Sequence, residues 1–228
     1  MWRRLNAYDR ALLEMKERIR DLAGMVEQQL QKAMQSFVEQ DVALAEAVIQ
    51  GDDPIDRLEA SLEMEALELI SIQQPVDQDL RLLAAVMRIG KELERISDYA
   101  CDIAETTLNL RKKGEWFKPL IDLPRMADLV QGMFTKSCEA FYRNDAATAR
   151  QLDDDDQAVD ELYLMLYQEL TELMRADSAN VDQGFAILLI VRYLERIGDH
   201  LVNVAEMTVF VATGERHPFK TRKEGLEQ

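Results

Sequence analysis

The chain has 228 residues, enough to bury a core without disulfides or metals as staples. It carries 27 Lys and Arg against 43 Asp and Glu, a formal charge of −16. That excludes a general nucleic-acid binder, because phosphate backbones attract the opposite sign. Nine Gly and five Pro make turns scarce, and 47% apolar residues argue against disorder.

The first predicted helix runs from about Leu5 to Ile49, with Leu12, Met15, Ile19, Leu22, Val26 and Leu30 at helical spacing. Gly51-Asp52-Asp53-Pro54 ends it and starts the second, which reaches about Ile72 before Pro75. Asp53 reads as its N-cap and Pro54 as its first residue, which leaves Asp52 just outside the helix. A third helix spans about Gln78 to Leu110. Gly114, Pro119 and Pro124 then mark a boundary near Lys113–Asp122. Three more helices come after it, at about Leu123–Leu152, Asp156–Met174 and Val181–Thr213. Arg216–Lys223 reads as a frayed basic tail. No segment has the alternation of a strand. Arg3 and Arg4 lack an apolar stretch behind them, so no signal peptide is expected, and no run is long enough to span a membrane. Cys101 and Cys138 lack metal or disulfide spacing and read as free thiols in a reducing cytoplasm.

The chain repeats itself once. Adding 104 to Phe37, Asp41, Ala45, Asp52, Asp56 and Leu62 gives Phe141, Asp145, Ala149, Asp156, Asp160 and Leu166. Further on the offset is 101: Leu93-Glu94-Arg95-Ile96 meets Leu194-Glu195-Arg196-Ile197, and Asp98 meets Asp199. The loss of three residues points to a shorter connection near Ala176–Val181. The expected architecture is all-α, two tandem three-helix bundles, residues 1–113 and 114–228.

The third helix of each half carries the distinctive chemistry. At 100° per residue, Glu94, Asp98, Asp102 and Glu105 fall at about 0°, 40°, 80° and 20°. Glu195, Asp199, Asn203 and Glu206 repeat that stripe. The apolar positions Val86, Ile89, Leu93, Ile96, Ala100 and Ile103 lie roughly opposite, so the acids are expected to face away from the core, on a surface or in an inter-helix groove. Lys91 and Arg192 share the stripe and are placed to pair with Glu94 and Glu195. Like charges at i, i+4 oppose a helix by about 0.2–0.5 kcal/mol per pair, so two matching ladders need a reason. Asp52/Asp56 and Asp156/Asp160 add a pair to each half. Oxygen donors without Cys or His suit magnesium, manganese, calcium or iron. A plain solvated acidic face is the competing reading.

His200 flanks the stripe as a polar neighbour or a further ligand. Arg95 and Arg196 read as ion-pair partners of the acids, or as contacts to phosphate or a partner protein. Trp116 and Phe117 are candidates for partner contact or for packing between the bundles.

At G-D-D-P-I-D-R-L-E (51–59), L-E-R-I-S-D-Y (93–99) and R-Y-L-E-R-I-G-D-H-L-V-N-V-A-E (192–206), the chain resembles the PhoU family along nearly its whole length. The resemblance implies a cytoplasmic negative regulator of phosphate uptake and the phosphate-starvation response. It implies work beside the ATPase subunit of a phosphate-specific ABC transporter and a phosphate-sensing histidine kinase, peripheral to the membrane through those partners. It also implies metal clusters, often iron, on Asp52, Asp56, Glu94 and Asp98, and on Asp156, Asp160, Glu195 and Asp199. Asp102 stands where the family more often has Asn, as at Asn203, which would make the first cluster more acidic and occupancy unequal. The overall expectation is a dimeric, non-enzymatic, metal-binding adaptor (iron, manganese or magnesium). A carboxylate-bridged di-iron enzyme or store is the alternative, but its Glu-x-x-His motif is missing: Ile197 and Gly214 stand three residues before His200 and His217.

Overall fold

The computed structural model describes residues 6–111, 122–216 and Phe219. In chain order the helices are α1 (Ala7–Glu39), α2 (Val42–Gln50), α3 (Asp52–Gln73), α4 (Asp77–Arg111), α5 (Asp122–Arg143), α6 (Ala146–Arg150), α7 (Leu152–Ala176) and α8 (Val181–Thr213). A 3-10 turn at Ser178–Asn180 precedes α8. Among the described residues there is no strand, and no helix is long and apolar enough to cross a membrane.

Each half is a three-helix unit whose first helix is broken once. The uninterrupted helices expected at Leu5–Ile49 and Leu123–Leu152 are therefore each two helices. Gln40 and Asn144 take left-handed backbone, with φ of 56° and 54°. In each break the next residue caps the short second helix: Asp41 Oδ1 accepts from the Leu44 amide, and Asp145 Oδ1 from the Ala147 and Thr148 amides. Both breaks lie at repeat-equivalent positions, 104 residues apart.

The expected cap at Asp53 is also corrected. α3 begins at Asp52, its N-cap is Gly51, and no side chain caps it. Asp52 and Asp56 therefore share a true helical i, i+4 geometry. α7 begins at Leu152 rather than Asp156, so Asp153, Asp154 and Asp155 occupy its first turn, where the helix dipole favours them. Asp177 and the 3-10 turn, residues 177–180, connect α7 to α8, against residues 74–76 between α3 and α4, so the helix bounds do not give the shorter connection expected near Ala176–Val181.

α4 and α8 form the central pair and run antiparallel, with Glu92 against His200 and Asn203 and Tyr99 against Tyr193. α1, α2 and α3 pack on α4, and α5, α6 and α7 on α8. α1 also meets α5, where Glu27 accepts from Gln131 and Thr135 and Arg20 lies over the Tyr142 ring. Ile19, Leu22, Val26, Leu83, Val86, Leu93 and Ile96 of the first half and Met126, Val130, Leu166, Ile190, Leu194 and Ile197 of the second belong to one continuous core. The boundary at 113/114, Trp116 and Phe117 lie outside the described residues, as does the tail beyond Arg216 apart from Phe219.

Candidate functional site

α3 lies along α4, and α7 along α8, so each acidic stripe faces a neighbouring helix across a groove. In the first groove Asp52 and Asp56 come from the start of α3, Glu94 and Asp98 from α4. Their mutual influence is felt at Asp56. Burial raises its carboxyl, Asp52, Glu94 and Asp98 raise it further, and Lys91 opposes them. Glu59 is raised by burial against Lys91, with Glu63, Glu94 and Asp56 adding to the rise. Asp98 is raised by burial and Glu94, despite Arg95. Three carboxyls sit above their ordinary range, raised first by burial and then by neighbouring acids.

The expected ion pairs form. Lys91 Nζ lies 2.8 Å from Glu94 Oε1, and Arg95 Nη1 2.9 Å from Asp98 Oδ2. Across the second groove Arg192 Nη1 lies 2.8 Å from Glu195 Oε2, and Arg196 Nη1 3.3 Å from Asp199 Oδ2. Arg95 and Arg196 are thus tied to the acids of their own helices.

The second groove corrects the expectation that the acids face away from the core. Glu195 is 2% exposed, Asp199 6% and Asp156 8%. A helical wheel treats α8 alone. In the fold α7 closes over the stripe, and Asp156 reaches α8 at Gly198, where a Cβ would stand 2.8 Å from its Oδ1. Asp160 is half-buried beside it, one turn on. In the first groove Asp56 is exposed and the side chain of Asp98 is 38% exposed, so the groove reading holds there.

Asp52 is held by groups that the acidic pattern does not reveal. Ser97 Oγ donates to Asp52 Oδ1 at 2.7 Å, and buried Gln29 Nε2 donates to Ser97 Oγ at 3.0 Å and to Asp52 Oδ1 at 3.3 Å. Cys101 adjoins this network, and burial, with Asp52 next, pushes its thiol up to about 12. Cys138 is also pushed up to about 12 by burial. In the metal-free protein both thiols are held protonated at neutral pH.

Asp102 stands at the edge of the first stripe. Burial raises its carboxyl, then Glu105 and Asp98, and it adds to the rise of Tyr193 on α8. Asn203 turns away from the acids and donates to Glu92 Oε2 at 2.9 Å. His200 Nδ1 meets the same oxygen at 2.6 Å, while Arg88 Nε lies 2.6 Å from Oε1. His200 therefore belongs to the seam between α4 and α8. Glu92 itself, 3% exposed, lies off the acidic stripe, so the spacing of the acids gave no signal for it.

Each groove fits a hard cation in donor chemistry. The donors are oxygens, negative charge exceeds what Lys91 and Arg95 relieve in the first, and the missing Cβ of Gly198 makes a cradle for a carboxylate in the second. Among the described residues no three His, Cys, Asp or Glu side chains already stand together closely enough to hold an ion. In the first groove the acids line a partly open strip, and in the second α7 covers them.

Comparison with known proteins decides the family. The family model described as the PhoU domain matches twice, over residues 19–107 and 123–208. The chain belongs to the PhoU family. It is a PhoU-family accessory and regulatory protein of phosphate transport, and the family is not enzymatic. The "Phosphate-specific transport system accessory protein PhoU homolog" of Zymomonas mobilis is 33% identical over 222 residues, covering 97% of this chain and 93% of that one. Homolog 1 of Methanothermobacter thermautotrophicus is 34% identical over 208 residues, covering 88% and 95%. The crystal structure of PhoU from Pseudomonas aeruginosa superposes with a TM-score of 0.88 at 29% identity, covering 91% of this chain and 100% of that one. The phosphate transport system regulatory protein PhoU from Streptococcus pneumoniae gives 0.86 at 27%, covering 92% and 99%. The two matched PhoU domains contain the two grooves, with α3–α4 in the first and α7–α8 in the second.

Proposed function

We propose that this PhoU chain is a cytoplasmic negative regulator of phosphate uptake and of the phosphate-starvation response. It acts as an adaptor between the ATPase subunit of a phosphate-specific ABC transporter and a phosphate-sensing histidine kinase, as a homodimer peripheral to the membrane. Its two repeats divide at 113/114. Asp52, Asp56, Glu94 and Asp98, flanked by Asp102, would hold cations in the first; Asp156, Asp160, Glu195 and Asp199 would hold them in the second. Iron, manganese and magnesium match the all-oxygen donors.

The observation that carries this reading is the gathering of acids from two helices in each half, with Asp56, Glu59 and Asp98 of the first groove raised first by burial and then by neighbouring carboxylates. When bound, a cation supplies positive charge that relieves this repulsion. The protein's part is to present the carboxylates: Lys91 and Arg95 fix Glu94 and Asp98, and Arg192 and Arg196 fix Glu195 and Asp199. An acidic surface also attracts a basic partner and makes encounter salt-sensitive. Arg95 and Arg196, about half exposed beside the acids, are the candidate cationic contacts to phosphate or to an acidic group of a partner.

The test is charge reversal. Glu94→Lys with Asp98→Lys should weaken capture of the transporter ATPase and the kinase, and leave phosphate-starvation genes on in phosphate-rich medium. Capture of both at wild-type strength with normal repression would remove the groove from the interaction.

A further inference from the structure

The basic tail, expected from its sequence to fray, returns to the fold at Phe219. α8 ends at Gly214, whose left-handed backbone, φ 80°, turns the chain, and the Gly214 amide donates to the Phe210 carbonyl. Just beyond, the Glu215 amide donates to Thr213 Oγ1 at 3.1 Å, and Arg150 Nη2 lies 3.9 Å from Glu215 Oε2. Phe219 is half-buried against the core, and its amide donates to Glu206 Oε1 at 2.8 Å. Glu206 precedes Gly214 by eight residues, about 12 Å back along the helix. Phe219 therefore stands beside α8 and not past its end.

Glu206 is also the last acid of the α8 stripe, two turns beyond Asp199 and about three beyond Glu195. Its repeat-equivalent in the first half, Glu105, is exposed. After Phe219 the chain reads Lys220-Thr221-Arg222-Lys223, three cations in four residues of a molecule whose net charge is −16. Four extended residues reach about 13 Å, and Asp199 lies about 10 Å from Glu206 along the helix axis. Asp160 stands half-buried across the same groove on α7. The starting point of this segment, its reach and its charge all match the acidic stripe. Opposite charges attract more strongly against a protein surface than in bulk water.

We infer that Lys220–Lys223 is an intramolecular ligand of the α7–α8 acidic groove, anchored by Phe219 at Glu206. Docked there, the tail screens the second groove and leaves the α3–α4 groove as the open acidic surface. A basic partner then meets the first groove directly and reaches the second only by displacing the tail. That consequence rests on the proposal that the grooves attract basic partners; the docking itself does not.

The test is zero-length carbodiimide coupling on the whole 228-residue chain, which joins a Lys amine to a carboxylate where the two touch. The links are read by mass spectrometry on mixed unlabelled and ¹⁵N-labelled protein. Lys220 or Lys223 should be joined to Glu206 or Asp160 within one chain. Phe219→Ala, which leaves the net charge unchanged, should lower that yield by about fivefold or more, the scale of a lost half-buried aromatic anchor. Glu206→Gln should lower links to Asp160 in the same direction. Fluorescein-labelled octalysine should bind Phe219→Ala more tightly than wild type. Links from these lysines only between labelled and unlabelled chains would overturn the intramolecular docking in favour of a second copy. Absence of links to the α7–α8 acids, or a yield unchanged in both variants, would overturn it outright. Equal octalysine binding by wild type and Phe219→Ala would overturn the screening. Octalysine bound by neither, with the links present, would uphold the docking and contradict the grooves as surfaces for basic partners.

Discussion

Asp56 and Glu92 are both acidic residues, yet their surroundings move them in opposite directions. Burial and the neighbouring Asp52, Glu94 and Asp98 raise Asp56. At Glu92 burial also acts to raise the carboxyl, but hydrogen bonds from His200 and Asn203 and the charge of Arg88 outweigh it and hold it low. The consequences for stability have opposite signs. A carboxyl raised in the fold contributes stability that is present below its unfolded value and lost as pH rises through the folded one. A depressed carboxyl contributes stability present above its unfolded value and lost as pH falls through the folded one. In metal-free protein Asp56, Glu59 and Asp98 should therefore favour the fold on mild acidification, until Glu92 is protonated. Asp56→Asn removes one like-charge i, i+4 pair and should raise stability at neutral pH by about 0.2–0.5 kcal/mol, read from urea unfolding with a chelator present. Glu92→Gln should cost about 1–3 kcal/mol in the same assay, because a charged acceptor of three partners is replaced.

At the scale of elements, the helices were legible where periodicity is strong and illegible where a cap interrupts it. The apolar spacing of α1 continues across Gln40 without a Gly or Pro to signal a stop. The signal was present in Asp41 and Asp145, two repeat-equivalent N-cap residues, but an Asp within a helical pattern reads equally well as a solvated position on its polar face. Asp41→Ala should cost about 1 kcal/mol, and Asp145→Ala should destabilise in the same direction, measured by denaturant unfolding. The acidic stripe was legible as a stripe, and so were its pairings with Lys91, Arg95, Arg192 and Arg196. Its burial on α8 was not, because a helical wheel shows which residues share a face and not which helix covers that face. Gln29 and Ser97 were illegible for a related reason: they are distant in sequence and their common partner, Asp52, emerges only when α1, α3 and α4 pack.

Across the whole molecule, internal repetition gave the architecture, and packing then made the halves different. α4 and α8 meet antiparallel at the centre, and their seam uses Glu92, His200 and Asn203 on one side of the repeat relation and Tyr193, Tyr99 and Asp102 on the other. Of the two outer grooves, the first leaves Asp56 exposed and Asp98 partly exposed, while α7 covers the acids of the second. Because the acids at issue lie between helices rather than in the apolar core, neutralising them should change what the protein binds while leaving its helices folded. The most direct measurement is elemental analysis of protein purified without chelator from iron- and manganese-supplemented medium, wild type beside Asp98→Asn with Asp199→Asn. The expected result is iron or manganese on the wild type, a marked loss on the double variant, and unchanged helix content by circular dichroism. Wild-type protein that carries neither metal, or a double variant that keeps its full complement, would contradict cation binding by the two grooves.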